Sequence, residues 1–355
     1  MSGPAGQPNL LIFRIGSIGD TVVALPCFHA IARRFPHYRR VLLTNAVDSA
    51  RASSVEAVLE GMGLIHEAVY FPVGHGKLRY SVGLARELRR LKANELVYLA
   101  PRPTGLPVYR DLLFFRAVGI RTILGAPLTA RVRECRVDPA TGELEYEAVR
   151  LARSLGPEIP VDLSAHNWDL QLSAAEHAVA AERLSPLPEW RPIIALAPGA
   201  KIQRKDWGEA NWATLAELLW QRAPDASLVM VGAQDERSLT ERLAAHWPGT
   251  CVNVCGELTP RESAALLRRC DLLVCHDSGP MHLAASQDTP CVALFGTFNQ
   301  PRQWFPYGDR HRVIHEAHGV DAIRPDHVAD VVQSLLDELR VREPRRASAA
   351  YRPVA

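Results

Sequence analysis

Three stretches of the chain place chemically capable residues where an apolar run gives way to a helical pattern. The first is RIGSIGDTVVALP, residues 14–26. Gly16 and Gly19 permit a tight turn with a close backbone approach. Asp20 stands where the helix begins. Aspartate is a favoured helix cap, so Asp20 reads either as a cap or as a carboxylate presented at a strand's end. GxxGD lacks the GxGxxG dinucleotide pattern, and no acidic residue ends the next strand. The second stretch is LAPGAKIQRKDWGEANW, residues 196–212. Lys201, Arg204 and Lys205 follow Pro198-Gly199-Ala200, and cations at a strand's carboxyl end suit phosphate oxygens. A plain solvated loop would carry the same residues. The third is HDSGPMHLAAS, residues 276–286. Amides at Ser278 and Gly279, with the positive end of the helix dipole, form an anion site. A carboxylate at Asp277 would repel phosphate unless its partners are amides or sugar hydroxyls. His282, one turn into the helix, also fits a packing role. No third ligand lies near Asp277 and His282 in sequence, so a metal site is not expected.

The elements that must position these residues follow from apolar periodicity. The first half alternates strands at 9–15, 40–45, 67–72, 95–101 and 121–127 with helices at 21–35, 53–63, 79–92 and 108–119. Such a βαβ series predicts a parallel sheet covered on both faces. Residues 126–142 are polar and irregular, and 144–155 are helical. Proline without clear period places a linker near 157–190, with a helical lead-in at 173–184. The second half repeats the alternation. Its strands fall at 191–198, 226–232, 251–256, 271–277, 290–296 and 312–315. Its helices fall at 211–223, 236–247, 260–270, within the third stretch, and at 325–340. The domains are therefore 1–170 and 171–341, and the tail 342–355 is expected to be disordered. Two such halves would enclose a cleft, with ligands outside the carboxyl ends of the strands.

Composition narrows the classes. A 355-residue chain with 47% hydrophobic and 23% charged residues is ordinary globular material, long enough for two cores. The net charge of +2 argues against a dedicated nucleic-acid binder. Nearly all the cations are arginine. Lysine occurs only at Lys77, Lys92, Lys201 and Lys205, which draws attention to the last two. The seven cysteines form no CxxC and sit mostly in apolar runs. They read as free thiols of a reducing compartment, hence a cytoplasmic protein. No signal peptide is visible, and no apolar run approaches the ~20 residues that span a bilayer.

Taken in order, the three stretches and VGAQDE at 231–236 resemble glycosyltransferase family 9, the ADP-heptose:lipopolysaccharide heptosyltransferases and their relatives. The resemblance is collinear from the first strand to the strand at 312–315, and four motifs in the right order make it specific. It implies the GT-B fold, α/β with two Rossmann-like doubly wound domains facing a central cleft. The first would bind the acceptor and the second the nucleotide-sugar donor. It also implies an inverting transfer of a sugar from a nucleoside diphosphate to a hydroxyl, without metal or cofactor. Asp20 matches the general base, which takes the acceptor proton. At a reference pKa of ~3.9 it needs a desolvated setting to be an effective base. Lys205 matches the lysine of the KxW element, which neutralises the leaving diphosphate in place of a divalent ion. Asp277, Ser278 and Gly279 match the triplet against the phosphates and the donor sugar, and His282 follows in that motif. Glu236 matches an acidic contact to the ribose, and Leu258 falls where the base rests. Gly19, Gly199, Ala200 and Lys201 complete the donor-binding set. Two positions depart from the family pattern. Ala200-Lys201 stands where heptosyltransferases often carry a hydroxyl residue, and Gly16 where many relatives carry serine or threonine. Heptose is the default donor sugar.

The implied partners are a nucleotide-sugar donor and a lipid-linked or oligosaccharide acceptor of lipopolysaccharide or a related surface glycan. Nucleic acid is not expected. The basic loops at 73–80 and 101–110 suit an anionic acceptor or plain solvent equally, and would allow contact with the inner membrane face. No amphipathic anchor stands out. Two other readings use the same residues: a nucleotide-sugar epimerase of the same fold, and a non-catalytic nucleotide-sugar binder in which Asp20 only caps its helix.

Overall fold

A computed structural model describes residues 7–46, 55–71, 78–101, 105–298 and 301–342, with backbone alone for 78–81 and 342. The chain divides into two compact units, Met1–Leu170 and Gln171–Ala355.

The first unit begins with β1 (Asn9–Phe13), α1 (Ile18–Val23), α2 (Leu25–Arg34), β2 (Arg39–Asn45), α3 (Val55–Leu59) and β3 (Glu67–Phe71). It continues with α4 (Leu78–Leu91), β4 (Glu95–Tyr98), α5 (Gly105–Ala117), β5 (Thr122–Leu124), α6 (Ala130–Arg133) and α7 (Glu147–Leu155). The strand order is β3-β2-β1-β4-β5 and every pairing is parallel. Phe13 lies opposite Leu43 on one side and Tyr98 on the other. The chain winds outward from β1 to β3 and returns at β4, so the β1/β4 seam is the topological switch point.

Two expectations change here. The helix read at 21–35 is two helices, separated at Ala24. Pro26, in the first turn of α2, has no N–H to continue the helix from α1. α1 also starts earlier, at Ile18, because Ser17 and Asp20 form a capping box. The stretch read as irregular at 126–142 contains α6 and reaches an isolated antiparallel bridge between Val137 and Leu144. Of the two basic loops, residues 72–77 and 102–104 lie outside the described residues, as does the tail from 343.

The second unit runs α8 (Ala174–Leu184), β6 (Ile193–Ala197), α9 (Glu209–Arg222), β7 (Ser227–Met230), α10 (Arg237–Ala244) and β8 (Cys251–Asn253). Then come α11 (Pro260–Leu267), β9 (Leu272–His276), α12 (Gly279–Ser286), β10 (Cys291–Phe295), β11 (Arg312–His315) and α13 (Pro325–Arg342). Its order, β11-β10-β9-β6-β7-β8, is again all parallel. The switch point is the β6/β9 seam. α8 is the helical lead-in read at 173–184, and it packs in this unit through an ion pair between Glu176 and Arg261 of α11. The sheet is buried on both faces, which is why its strands read as unbroken apolar runs. All seven cysteines are free thiols. Burial pushes Cys27 up to about 12, which keeps it protonated and unreactive. Among the described residues, no helix is long and apolar enough to cross a membrane.

Candidate active site

The residues singled out in the sequence fall at the carboxyl ends of strands, mostly at the two switch points, one group in each unit. In the first unit, β1 ends at Phe13 and hands over to Arg14, whose side chain is fully buried. Arg14 Nη1 donates to the Leu99 carbonyl at 2.7 Å, just past β4. Its Nη2 donates to the Asp20 carbonyl at 2.5 Å and lies 3.7 Å from Asp20 Oδ1. Burial pulls the guanidinium below its ordinary value, while Asp20 and Glu147 act against that. Asp20 Oδ2 accepts hydrogen bonds from Ser17 N at 2.8 Å and Ser17 Oγ at 2.9 Å. Asp20 is thus at N3 of α1, with Ser17 as N-cap, and it keeps 24% side-chain exposure. Capping and chemistry are compatible: Oδ2 fixes the side chain and the carboxylate edge stays open to solvent.

Gly16 has to be glycine for this geometry. Its φ is +156°, and a Cβ there would stand 2.3 Å from Asp20 Cβ. The Asp20 side chain folds over the space a larger residue would fill. Gly16 N also donates to Asn45 Oδ1 at 2.9 Å, which ties the turn to the end of β2. Gly19 is buried within α1.

In the second unit, β6 leads into Pro198-Gly199-Ala200, exposed Lys201, and a 3-10 turn at Gln203–Lys205. Lys205 Nζ forms an ion pair with Asp277 Oδ2 and lies 4.6 Å from the Phe298 ring centroid. The lysine and aspartate side chains keep only 19% and 9% of their exposure. Asp277 therefore meets an ammonium, which answers how a carboxylate is tolerated in an anion site. Ser278 is the N-cap of α12, but its side chain does not cap that helix. Ser278 Oγ donates instead to the His276 carbonyl at 3.3 Å. Ser278 therefore does not occupy the amides of Gly279 and Met281 that open α12, and Pro280 between them has no N–H to offer. By contrast, Ser173 and Thr259 cap α8 and α11 with their own oxygens. His282 is buried in the first turns of α12.

Glu236 ends a 3-10 turn after β7 and accepts from Ala233 N at 2.8 Å. A Cβ on Gly199 would come within 2.0 Å of the Glu236 carboxyl carbon. The carboxylate rests directly on Gly199, and a larger residue there would displace it. Leu258 is half-buried in the loop after β8. The structure thus joins Lys205 to Asp277 and Glu236 to Gly199, while Ala200 and Lys201 share their loop.

His276 and Arg14 carry more than their positions in sequence suggested. His276 is buried, its Nε2 accepts from Trp207 N at 3.0 Å, and Nδ1 faces the Gly199 carbonyl at 3.4 Å. It pins both ends of the Lys205 loop to β9. Burial drives its pKa down to about 4, so the ring is neutral. The Trp207 and Trp212 rings pack edge-on at 5.0 Å, and Trp212 stacks edge-on against His276 at 5.2 Å. The available signal was a polar residue closing the apolar run LLVCH, and for Arg14 a cation closing LLIF. Among the described residues, no three His, Cys, Asp or Glu side chains gather into a metal-holding group.

Two parallel doubly wound units, with polar groups at the carboxyl ends of both central seams, define the Rossmann-like pair of GT-B enzymes. A family sequence model described as "Glycosyltransferase family 9 (heptosyltransferase)" matches residues 131–324, and the chain belongs to that family. It is 28% identical over 349 residues to lipopolysaccharide heptosyltransferase 2 of Escherichia coli K12, covering 93% of this chain and 94% of that one. Among solved structures it resembles a family 9 glycosyl transferase from Veillonella parvula (TM-score 0.70, 18% identity, 95% and 100% coverage). It also resembles the E. coli ADP-heptose lps heptosyltransferase II (TM-score 0.65, 21% identity, 93% and 99% coverage). The chain is a glycosyltransferase, as the four motifs implied.

Proposed function

We propose that this enzyme transfers a heptose from ADP-heptose to a hydroxyl of a lipopolysaccharide core acceptor, with inversion and without a metal ion or cofactor. The observation that carries the donor assignment is the Lys205–Asp277 ion pair beside the N-terminus of α12, which Ser278 does not cap, at the β6/β9 seam. A diphosphate seated there would meet an ammonium, the amides of the first turn and the helix dipole. Asp277 orients Lys205 and accepts from donor sugar hydroxyls. Glu236, held on Gly199, accepts from the ribose hydroxyls, and Leu258 offers an apolar surface to the base.

Asp20 takes the proton from the acceptor hydroxyl as that oxygen attacks the anomeric carbon. The bond from that carbon to the β-phosphate oxygen breaks, and the electron pair leaves with ADP. Lys205 and the α12 amides stabilise the charge that develops on the leaving group. Attack opposite the leaving group inverts the anomeric centre. Ser17 and Arg14 hold Asp20 in one orientation, so little is lost to reorganisation during the step. The relatives' names, lipopolysaccharide heptosyltransferase 2 and ADP-heptose lps heptosyltransferase II, support heptose and ADP as the donor parts. The epimerase reading shares the fold, and no specific observation favours it.

The test is calorimetric titration of ADP, UDP, GDP and CDP into the protein without added metal. Selective ADP binding supports the donor. Selective binding of another nucleotide keeps the transferase and discards ADP-heptose. No binding of any of them overturns the donor site.

A further inference from the structure

α5 covers the first sheet with one face and leaves a second apolar face outside. Phe115 is buried and, with Phe114, packs into the core beneath the helix. On the opposite side Leu106 is 80% exposed, Tyr109 55% and Leu113 72%. These three recur at spacings of three and four, so they form one stripe along the helix. Single exposed apolar residues are ordinary, but a contiguous stripe of large ones marks a contact surface.

The surroundings of the stripe are cationic. α4 lies beside α5, as the hydrogen bond from Arg89 Nη2 to the Ala117 carbonyl at 3.1 Å shows. Across the described side chains of both helices and Lys92, the exposed cations are Arg86, Arg89, Arg90, Lys92, Arg110 and Arg116. The only exposed carboxylate among them is Glu87. The other acid, Asp111, is buried, accepts from Tyr98 Oη at 2.8 Å and pairs with Arg110. The whole chain carries a net charge of only +2, so this excess is local.

We infer that the outer face of α5, with the flanking cations of α4, docks on an anionic lipid bilayer. Apolar side chains entering the headgroup boundary and cations facing acidic headgroups are the two terms that hold a peripheral protein on such a surface. A second copy of the chain is the poorer occupant. A two-fold contact sets the same patch against itself and would bring these cations face to face. The docking requires nothing of the transfer chemistry and stands apart from the donor assignment.

The test uses the full chain in flotation with two kinds of vesicle: phosphatidylcholine alone, and phosphatidylcholine with phosphatidylglycerol. The wild type is expected to float with the anionic vesicles at low salt, and to be released by salt. The double variant Leu106→Ser/Leu113→Ser should lower the bound fraction roughly tenfold or more at an unchanged melting temperature, the scale of two leucines removed from an apolar setting. Arg86→Gln/Arg90→Gln should weaken anionic binding without affecting the neutral vesicles. Three results would overturn the inference. One is no flotation with anionic vesicles, and another is equal flotation of wild type and the leucine variant. The third is sedimentation equilibrium showing a dimer that the leucine substitutions dissolve, which would make the stripe a self-contact.

Discussion

Removing the Lys205 ammonium separates a donor site from a merely solvated basic loop. In the free protein Nζ is committed to Asp277 Oδ2, with the Phe298 ring centroid 4.6 Å away. The pair is mostly shielded, at 19% and 9% exposure, so its interactions are screened less than those of a surface pair. An arriving diphosphate would share the ammonium with the carboxylate. A hydrogen bond to a charged group contributes about 1.5–3 kcal/mol, so Lys205→Ala should weaken ADP by roughly 10- to 150-fold. The variant also leaves Asp277 facing the phosphates without its cation, which pushes the loss toward the upper end. Asp277→Asn keeps the lysine and removes the competing charge, so its loss should be the smaller of the two. The double variant should then bind better than the sum of the two losses predicts, since the sites are coupled. Calorimetric titration of ADP into the four proteins reads this directly. A dissociation constant for Lys205→Ala within about twofold of wild type would refute the reasoning, because an ion on the phosphates cannot be lost at so small a cost.

Other expectations follow from single contacts. Gly16→Ala would put a methyl 2.3 Å from Asp20 Cβ at a φ of +156°. It should depress transfer more than ADP binding and lower the melting temperature, at about 1–3 kcal/mol for strain of this kind, as read by paired kinetic and thermal assays. His276, ordinarily near 6.5, is held down to about 4 by burial. Between those values the unfolded chain binds a proton that the native chain does not, so stability rises with pH across the window, by roughly 1.4 kcal/mol per pH unit at most. This stabilisation is full above about 6.5 and lost as pH falls toward about 4. Denaturant unfolding of wild type and His276→Asn at a series of pH values should show the dependence in the first and a flatter line in the second.

The sheet architecture was open to reading because its strands are buried on both faces and appear as apolar runs. The site was legible in residue types but not in pairings. Lys205 and Asp277 stand on separate strand ends that only the β6/β9 adjacency brings together. Asp20 looked like a cap or a reactive carboxylate, and the geometry shows that it closes the Ser17 capping box while part of its carboxylate stays exposed. Arg14 and His276 escaped notice because burial, not sequence, makes them unusual. An arginine after an apolar strand ordinarily reads as a solvated end. The outer stripe of α5 was hidden for a different reason. Both faces of that helix are apolar, so no amphipathic period emerges until the sheet claims one side. The break at Ala24 turned on a single proline at the second position of α2.

The most direct test of the account is the single-turnover rate of heptose transfer from ADP-heptose to a lipopolysaccharide core acceptor by wild type and Asp20→Asn. The amide preserves the size of the side chain and can still accept from Ser17, so the fold should hold. Loss of a general base predicts a fall of roughly 10²- to 10⁴-fold in that rate. Transfer by Asp20→Asn within about threefold of wild type would contradict the central claim and leave Asp20 as a helix cap alone.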